Sequence, residues 1–438
     1  MTEQQTDARV PEPQTWTAAD RKRARKAAVA GGVGTLIEYY DFSLYGYMAV
    51  IIAPLFFPSD DPVVSLLSAL AVFGTAYFMR PFGGIFFGHI GDKYGRKKAL
   101  VATLICMGTA STAMGFLPTH AQLGAWATVL LVLVRVAQGF SAGGEVGGSA
   151  TFISESAPPH LKATYGAFTP LGSTGGFALA AAVAGVVSGM TTDPQMESWG
   201  WRIPFLLAFP LTLFCLWART RVEETHHVEE ADEVPHSPIA EIFRKQPKSL
   251  AQATAISAAT NGTAYIGLTY LSIHLIQRLG YDATPVYWIA TMAIGISAIL
   301  MPLGGYIGDK IGLHRLAIIG LIDYIVLTYP MMDLMDNGLL IAAIAFLVIM
   351  LNTVATQVSA YTLLPLLFKK ELRYTGVAMG WNLGVVIAGG TAPFFAVWLI
   401  EKSGNVLAPS FFVIVIAIVG LVAIVSVKDK LDHSFGKR

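Results

Sequence analysis

The chain has 438 residues, of which 54% are hydrophobic and only 13% are charged, and its formal net charge is +1 at pH 7. This composition excludes a water-soluble globular protein, and the near-neutral charge gives no indication of nucleic-acid binding. The charged residues cluster in short segments between long apolar runs. The sequence therefore predicts an all-α protein that crosses a lipid bilayer several times.

Twelve apolar runs are long enough to cross a membrane, because about 20 helical residues span a hydrocarbon layer of roughly 30 Å. They lie at about 27–53, 66–88, 99–118, 124–153, 164–190, 201–219, 250–277, 285–307, 316–335, 339–367, 375–400 and 408–427. We predict a six-helix half at 27–219 and a second at 250–427, joined by a polar linker at 220–249. An N-terminal tail, 1–26, and a C-terminal tail, 428–438, complete the chain.

A short loop sequence occurs once in each predicted half. GHIGDKYGRKK at Gly88–Lys98 recurs in weaker form as GYIGDKIGLHR at Gly305–Arg315, 217 positions later. A repeat at about half the chain length predicts two similar halves. In membrane transporters, paired halves place a substrate site between them and expose it to each side in turn.

The distribution of Lys and Arg predicts the orientation, because basic loops stay on the cytoplasmic side. With the N-terminus inside, only Arg202, Arg278 and Lys402 fall on the outer side. We therefore expect both termini to be cytoplasmic.

Charged residues inside the predicted spans are costly unless they face a partner or a wet cavity. Five stand out: Glu38, Asp41, Arg80, Arg135 and Glu145. Counting the helical rise places Glu38 and Arg135 each about 16 Å from a membrane surface, close to the bilayer centre. Glu38 and Asp41 share one helix face. We predict that they carry protons, and that Arg135 binds a substrate carboxylate once protonation releases it from a carboxylate partner. Ion pairs that only hold helices together are the alternative.

Neutral polar and aromatic side chains complete the predicted substrate site, with most of them in the second half. The full set expected to contact substrate is Arg135, Tyr39, Tyr40, Asn261, Tyr265, Asn352, Gln357, Trp381 and Asn382. The two halves are chemically unequal, so we expect proton handling in the first half and neutral contacts in the second.

The repeated loop is predicted to act as a gate. Its glycines allow neighbouring backbones to approach closely, and Asp92 can accept hydrogen bonds from a helix N-terminus. The basic residues are expected to hold acidic helix ends, and the second copy should hold more weakly because Leu313 replaces Arg96. The predicted gating residues are Arg80, Gly88, Gly91, Asp92, Lys93, Gly95, Arg96, Lys97, Glu145, Glu155, Gly305, Asp309, Lys310, Gly312 and Arg315.

Other chemistry is not indicated. No metal-binding spacing, catalytic nucleophile or cofactor motif is found, so we predict no metal, no cofactor and no enzymatic reaction. The two cysteines, Cys106 and Cys215, are expected to be buried packing residues.

These motifs together resemble a known family. GHIGDKYGRKK is similar to the signature between helices 2 and 3 of the major facilitator superfamily. Five further segments resemble its metabolite:proton symporter branch: IEYYDFSLYG, RPFGG, RVAQGFSAGGEVGG, GWRIPF and RYTGVAMGWNLGVVIAGGTAP. The resemblance implies the twelve-helix major facilitator fold with pseudo-symmetric halves. It also implies a symporter of the bacterial inner membrane that imports a small carboxylate-bearing solute with protons. We expect the protein to function as a monomer.

Members of that branch carry proline and betaine, or organic anions such as shikimate, α-ketoglutarate and citrate. ATNGTAYIGLTYL at Ala259–Leu271 most resembles the proline/betaine carriers, whereas Arg135 stands where Lys is expected in the osmosensing type. The sequence favours a zwitterionic osmolyte such as proline or glycine betaine. An organic anion is the alternative, and a non-transporting membrane receptor or sensor is an alternative of another class.

Overall fold

The computed structural model describes residues 18–94, 96–143, 161–221, 238–369 and 372–427. All regular structure in these ranges is helical, as predicted. The main helices are α1, Ala18–Phe56; α2, Pro62–Tyr94; α3, Arg96–Met114; α4, Ala125–Ala142; α5, Phe168–Met190; α6, Ala208–Arg221; α7, Pro247–Tyr265; α8, Ala283–Ile311; α9, Leu313–Leu334; α10, Leu339–Leu363; α11, Arg373–Gly384; and α12, Ala408–Ser426.

Shorter segments join or extend these helices. Those with α-helical geometry are His120–Leu123, Lys162–Gly166, Asp193–Gln195, Arg202–Leu206, Pro238–Lys245, Leu271–Gln277 and Ala392–Ser403. Three π-helical turns lie at Met196–Gly200, Ile266–Tyr270 and Val385–Gly389, and Leu364–Leu367 is a 3-10 turn. Two of the π-turns interrupt the paths of α7 and α11, and such turns occur frequently at functional sites.

Nine helical segments within the described residues are long and apolar enough to cross a membrane. The other three predicted spans correspond to α1, α3 and α7. These helices have more polar sequences: α1 and α3 each begin with basic residues, and α7 is rich in Ser, Thr, Gln and Asn. The predicted fourth span, 124–153, extends beyond α4 into residues outside the described ranges.

Small residues allow very close packing within the first half. A Cβ atom added at Gly139 of α4 would lie 1.8 Å from the carbonyl oxygen of Ala76 on α2. A Cβ atom at Gly172 of α5 would lie 2.2 Å from the carbonyl oxygen of Gly32 on α1. Both distances are far below van der Waals contact, so any larger side chain would push these helix pairs apart.

The halves meet along α5 and α8 and along α2 and α11. At the end of the bundle away from the α2–α3 and α8–α9 connections, the Tyr47 hydroxyl on α1 donates to the carbonyl oxygen of Leu268 at 2.6 Å. The Tyr287 hydroxyl on α8 donates to the carbonyl oxygen of Tyr47 at 3.0 Å. We call the end with the α2–α3 and α8–α9 connections the loop end, and the other end the opposite end. These hydrogen bonds between the halves therefore close the opposite end.

Candidate functional site

Helix α1 carries both predicted proton-coupling carboxylates into the interior. Glu38 is 6% exposed and Asp41 is 3% exposed, and the neighbouring Phe42 is fully buried. Among the described residues, Oδ1 of the Asp41 carboxylate has no hydrogen-bond partner. A buried polar atom without a partner costs about 1–3 kcal/mol. The arrangement is therefore expensive to keep for packing alone.

A chain of polar contacts connects Asp41 to Arg135 across three helices. The Asp41 carboxylate on α1 interacts with the Ser111 hydroxyl on α3. Gln138 on α4 donates from Nε2 to Oγ of Ser111 at 2.9 Å. Arg135 donates from Nη1 to Oε1 of Gln138 at 2.9 Å and from Nη2 to the carbonyl oxygen of Phe73 at 3.4 Å.

The chemistry of the end groups fixes the direction of each link. A guanidinium has donors only, so Gln138 must present its carbonyl oxygen to Arg135 and its amide group to Ser111. The Ser111 oxygen then accepts from Gln138, and its hydroxyl proton is available to Asp41. We call these four residues, Asp41, Ser111, Gln138 and Arg135, the relay. The ionisation state of Asp41 is therefore linked to the orientation of the amide that contacts Arg135.

Arg135 is fully buried and lies among aromatic rings. Its guanidinium carbon is 4.4 Å from the ring centroid of Tyr45, 5.0 Å from that of Phe42 and 5.5 Å from that of Phe73. Its two hydrogen-bond acceptors are neutral, and its Nε atom has no partner. The sequence interpretation gave Arg135 a direct carboxylate partner. The structure instead connects it to Asp41 through Ser111 and Gln138.

Arg80 on α2 lies in the same region of the molecule. Its guanidinium carbon is 4.2 Å from the ring centroid of Phe42, 4.8 Å from that of Tyr77 and 5.7 Å from that of Tyr39. Glu38 is close enough to interact with it electrostatically. The sequence assigned Arg80 to the gate, and that role stays a prediction. Phe42 lies beside both Arg80 and Arg135, and the two guanidiniums are close enough to interact.

Tyrosine hydroxyls join this region to the second half. Tyr77 on α2 donates to the hydroxyl oxygen of Tyr265 on α7 at 2.8 Å. Tyr39 is hydrogen-bonded to Tyr361 on α10, whose ring centroid lies 4.4 Å from that of Trp381 on α11. We call the following set the central cluster: Glu38, Tyr39, Phe42, Tyr77, Arg80, Arg135 and Tyr265.

The other predicted substrate residues are less closely connected to the central cluster. The Tyr40 hydroxyl donates to the carbonyl oxygen of Pro204 at 2.9 Å, so this side chain is used within the first half. Asn261 donates to Ser257 on its own helix. Asn352, Gln357 and Asn382 are buried, and each has one side-chain atom without a hydrogen-bond partner. Their roles in substrate binding stay predictions.

The second copy of the loop motif joins the halves at the loop end. Asp309 on α8 accepts hydrogen bonds from the backbone N–H groups of Ala163 and Thr164, both at 2.9 Å. It also accepts a bond from the Thr164 hydroxyl at 2.6 Å. A Cβ atom at Gly305 would lie 2.5 Å from the carbonyl oxygen of Ala163. The contact expected for Asp92, acceptance from a helix N-terminus, is thus made by its counterpart Asp309.

Other residues of the predicted gate are only partly described. Gly312 ends α8 with φ of 94°, a left-handed conformation that favours glycine, and Gly88 has open space around it. Lys310 lies 4.4 Å from the ring centroid of Tyr306, and Lys93 and Arg315 are exposed. Gly95, Glu145 and Glu155 lie outside the described residues, as do the side chains of Asp92, Arg96 and Lys97 and the surroundings of Gly91. That the second copy of the loop holds acidic helix ends more weakly than the first stays a prediction.

Several important residues were missed by the sequence interpretation. Gln138 follows Arg135 by three positions, so the two share a helix face, and that spacing could have been noticed. Ser111, Tyr77 and Tyr361 had no comparable signal, because isolated Ser and Tyr residues are common in membrane helices. One packing prediction was also wrong. Cys215 is buried, but Cys106 is exposed on the outer surface of the bundle.

Comparison with known proteins identifies the family. The family model described as Major Facilitator Superfamily matches residues 32–381. The chain belongs to this superfamily. It is therefore a multi-pass membrane transporter and not an enzyme, and the predicted major facilitator fold is confirmed.

Two curated relatives within the superfamily illustrate its closer relationships. A proline/betaine transporter of Salmonella typhimurium is 36% identical over 433 residues, covering 95% of this chain and 86% of the relative. A glycine betaine/proline/ectoine/pipecolic acid transporter of Dickeya dadantii is 36% identical over 429 residues, covering 94% of this chain and 85% of the relative.

Solved structures of superfamily members share the architecture. The xylose transporter XylE from E. coli in a partially occluded inward-open conformation aligns with a TM-score of 0.71 at 15% identity. The alignment covers 93% of this chain and 99% of that structure. A bacterial homologue of the human lysosomal transporter Spinster aligns with a TM-score of 0.65, also at 15% identity, over 97% and 100% of the two chains. At this identity the likeness supports the fold alone.

Proposed function

We propose that this transporter is a proton-coupled symporter that imports a small carboxylate-bearing zwitterion such as proline or glycine betaine. The relatives named for transport of proline and betaine support the class of solute. The relay from Asp41 to Arg135 is the observation that carries the proton-coupling part. It links a buried acid, which can take up a proton, to a buried guanidinium, which can bind a carboxylate.

Coupling follows from the directional links of the relay. An ionised Asp41 accepts a hydrogen bond from the Ser111 hydroxyl. The Ser111 oxygen then accepts from the Gln138 amide group, so the Gln138 carbonyl oxygen stays bonded to Arg135. Asp41 can take up a proton when opening of the first half gives it access to water. Protonated Asp41 can donate to Ser111. Ser111 can then turn its own proton toward Gln138, and the amide is free to leave Arg135.

The released guanidinium would then bind the carboxylate of the incoming solute. Because the central cluster contains residues from α1, α2 and α4 of one half and α7 of the other, a solute beside it would contact both halves. Relative movement of the halves would expose the bound solute first to one side of the membrane and then to the other. Glu38, close to Arg80, is the second acid that could carry the proton.

We infer the orientation from the distribution of basic residues described above. The loop end would face the cytoplasm of a bacterial cell, with both termini inside and the inner membrane as the location. In that orientation Asp309 and the Lys162–Gly166 segment form part of the cytoplasmic gate. Opening to the cytoplasm would break the three hydrogen bonds that Asp309 accepts.

Transport by purified protein in proteoliposomes tests the proposal. Radiolabelled proline and glycine betaine should accumulate when the outside is acidic, and a protonophore should abolish accumulation. Shikimate, α-ketoglutarate and citrate should compete weakly. Accumulation that survives the protonophore would indicate a uniporter or exchanger. Ligand binding without any flux would indicate a receptor.

A further inference from the structure

The Arg80 side chain has the strongest unmet binding capacity in the described structure. It is 1% exposed, and none of its three guanidinium nitrogens, Nε, Nη1 and Nη2, has a hydrogen-bond partner. A guanidinium carries five N–H donors and cannot lose its charge in a protein. Burying such a group without acceptors is unfavourable, and it requires a partner in some stage of the protein's working cycle.

Arg135 provides a direct comparison within the same cluster. Two of its nitrogens already donate, to Gln138 and to the carbonyl oxygen of Phe73. A carboxylate arriving at Arg135 must first displace these acceptors. At Arg80 a carboxylate displaces none, so its two oxygens could each accept an N–H group at once.

Aromatic rings hold the Arg80 guanidinium in place. Phe42 and Tyr77 lie 4.2 and 4.8 Å from its central carbon, as expected for cation–π contacts. Cation–π attraction acts on the charge of the guanidinium. The rings therefore attract the charge without using its donors.

The charges around Arg80 also favour an anion. Arg135 is close enough to repel it, while Glu38 attracts it. Two guanidiniums thus share one buried region, and Asp41 reaches Arg135 only through Ser111 and Gln138. When Asp41 takes up a proton, the relay loses its negative charge, and a carboxylate beside Arg80 would replace it.

We propose that Arg80 is the primary anchor of the substrate carboxylate, binding both of its oxygens, and that Arg135 is the second, proton-controlled contact. The proposal rests on the transport function proposed above and adds the residue that selects carboxylate-bearing solutes. It differs from a gating role, in which Arg80 would pair with an acidic group of the protein and would not touch the solute.

A comparison of each ligand with its amide separates these two roles. Binding of L-proline and of L-prolinamide to purified protein is measured by calorimetry for wild type, Arg80→Lys and Arg80→Gln. Arg202→Lys is the matched control, because Arg202 donates to the carbonyl oxygens of Gly115 and Leu117 near the opposite end. Thermal unfolding of each variant without ligand shows whether it is folded.

The anchor predicts that wild type and Arg202→Lys prefer proline to prolinamide by about 100-fold, the usual loss when one partner of a buried charged pair is removed. In Arg80→Gln this preference should fall to nearly one, with Arg80→Lys in between. If folded Arg80 variants keep the preference for proline over prolinamide and only their transport rate changes, Arg80 does not bind the solute carboxylate. That result would favour a gating role for Arg80. Failure of wild type to bind any carboxylate solute would overturn the proposed function itself.

A second measurement avoids substitutions, in case the variants do not fold. The arginine reagent phenylglyoxal is applied to the wild-type protein, and modification of the peptide that contains Arg80 is followed by mass spectrometry. Proline should slow modification of Arg80 by about 10-fold or more, and prolinamide should not. Equal rates with and without proline would contradict the anchor.

Discussion

The hydroxyl groups of Tyr77 and Tyr265 join the two halves of the transporter through a hydrogen bond of 2.8 Å beside Arg80. Tyr77 also packs against Gly390 of the second half, which follows the π-helical turn Val385–Gly389, because a Cβ atom there would overlap its ring. A movement that separates the halves must break this bond. The central cluster is thus divided by the same boundary along which the two halves would part.

Removing either hydroxyl should loosen the contact between the halves. Tyr77→Phe and Tyr265→Phe keep the rings, and each should lower the free energy of unfolding by about 1 kcal/mol because one buried hydrogen bond is lost. The double variant should lower the free energy of unfolding little more than either single variant does, because both substitutions remove the same hydrogen bond. Thermal unfolding of the four proteins measures this. Full additivity would show that the hydroxyls act independently.

Asp41→Asn should separate binding from accumulation. The amide cannot exchange a proton, so the variant should bind solute and exchange it across the membrane without concentrating it. Uptake driven by a pH gradient and counterflow without a gradient are the two measurements. Glu38→Gln is the comparison, and it shows which acid is needed. If both variants accumulate solute normally, neither acid couples transport to protons.

Ser111→Ala should interrupt the relay between Asp41 and Arg135. Both Asp41 and Gln138 would lose a partner, so we expect fewer protons carried per solute and a loss of stability of about 1–3 kcal/mol. Ser141→Ala is the control, because the Ser141 hydroxyl donates only to the carbonyl oxygen of Ala137 on its own helix. The readout is the ratio of proton uptake to solute uptake in vesicles. The same ratio in both variants would exclude a relay role for Ser111.

Asp309→Asn should favour the conformation that is open at the loop end. The amide keeps the shape of the side chain but loses the charge that strengthens bonds to the Ala163 and Thr164 N–H groups. The population of the open conformation should rise about 10-fold, measured by distances between spin labels at Lys98 and Ile311. Asp336→Asn, a change at an exposed carboxylate, should leave the distances unaltered.

The response to membrane potential separates the two classes of solute. A zwitterion carried with one proton moves one positive charge inward, whereas a monocarboxylate carried with one proton moves none. A potassium diffusion potential of 100 mV, negative inside, should therefore drive about 50-fold accumulation of proline or glycine betaine, since it contributes about 2.3 kcal/mol per charge. Uptake that is insensitive to the potential would favour the organic-anion alternative.

The sequence predicted the helices well, because the signals for them are local. Hydrophobic length, the positions of basic residues and the repeated loop all follow from physics that acts over a few residues. A contact with a helix N-terminus was predicted for Asp92, and the structure shows one of this kind at its counterpart Asp309. Its partners, Ala163 and Thr164, could not be foreseen, because they lie about 145 positions away in the other half.

Side-chain direction within the bundle was the part that sequence could not predict. Tyr39 and Tyr40 are neighbours, yet one is hydrogen-bonded to Tyr361 of the second half and the other to Pro204 of the first. Successive residues on a helix point about 100° apart, so only the packed structure decides which one faces the other half. Counting the helical rise gives a position along the helix axis only, so it could not predict the contact of Arg80 with Phe42 on a neighbouring helix.

Tyr47 has a consequence for the whole transport cycle. It bonds α1 to α7 and α8 at one face of the molecule, while Asp309 bonds α8 to the segment before α5 at the other. Each exit is held by a few hydrogen bonds of similar kind, so the architecture itself imposes no direction on flow. Transport by such a carrier is reversible, and the direction of the ion gradient would decide whether a cell gains or loses solute.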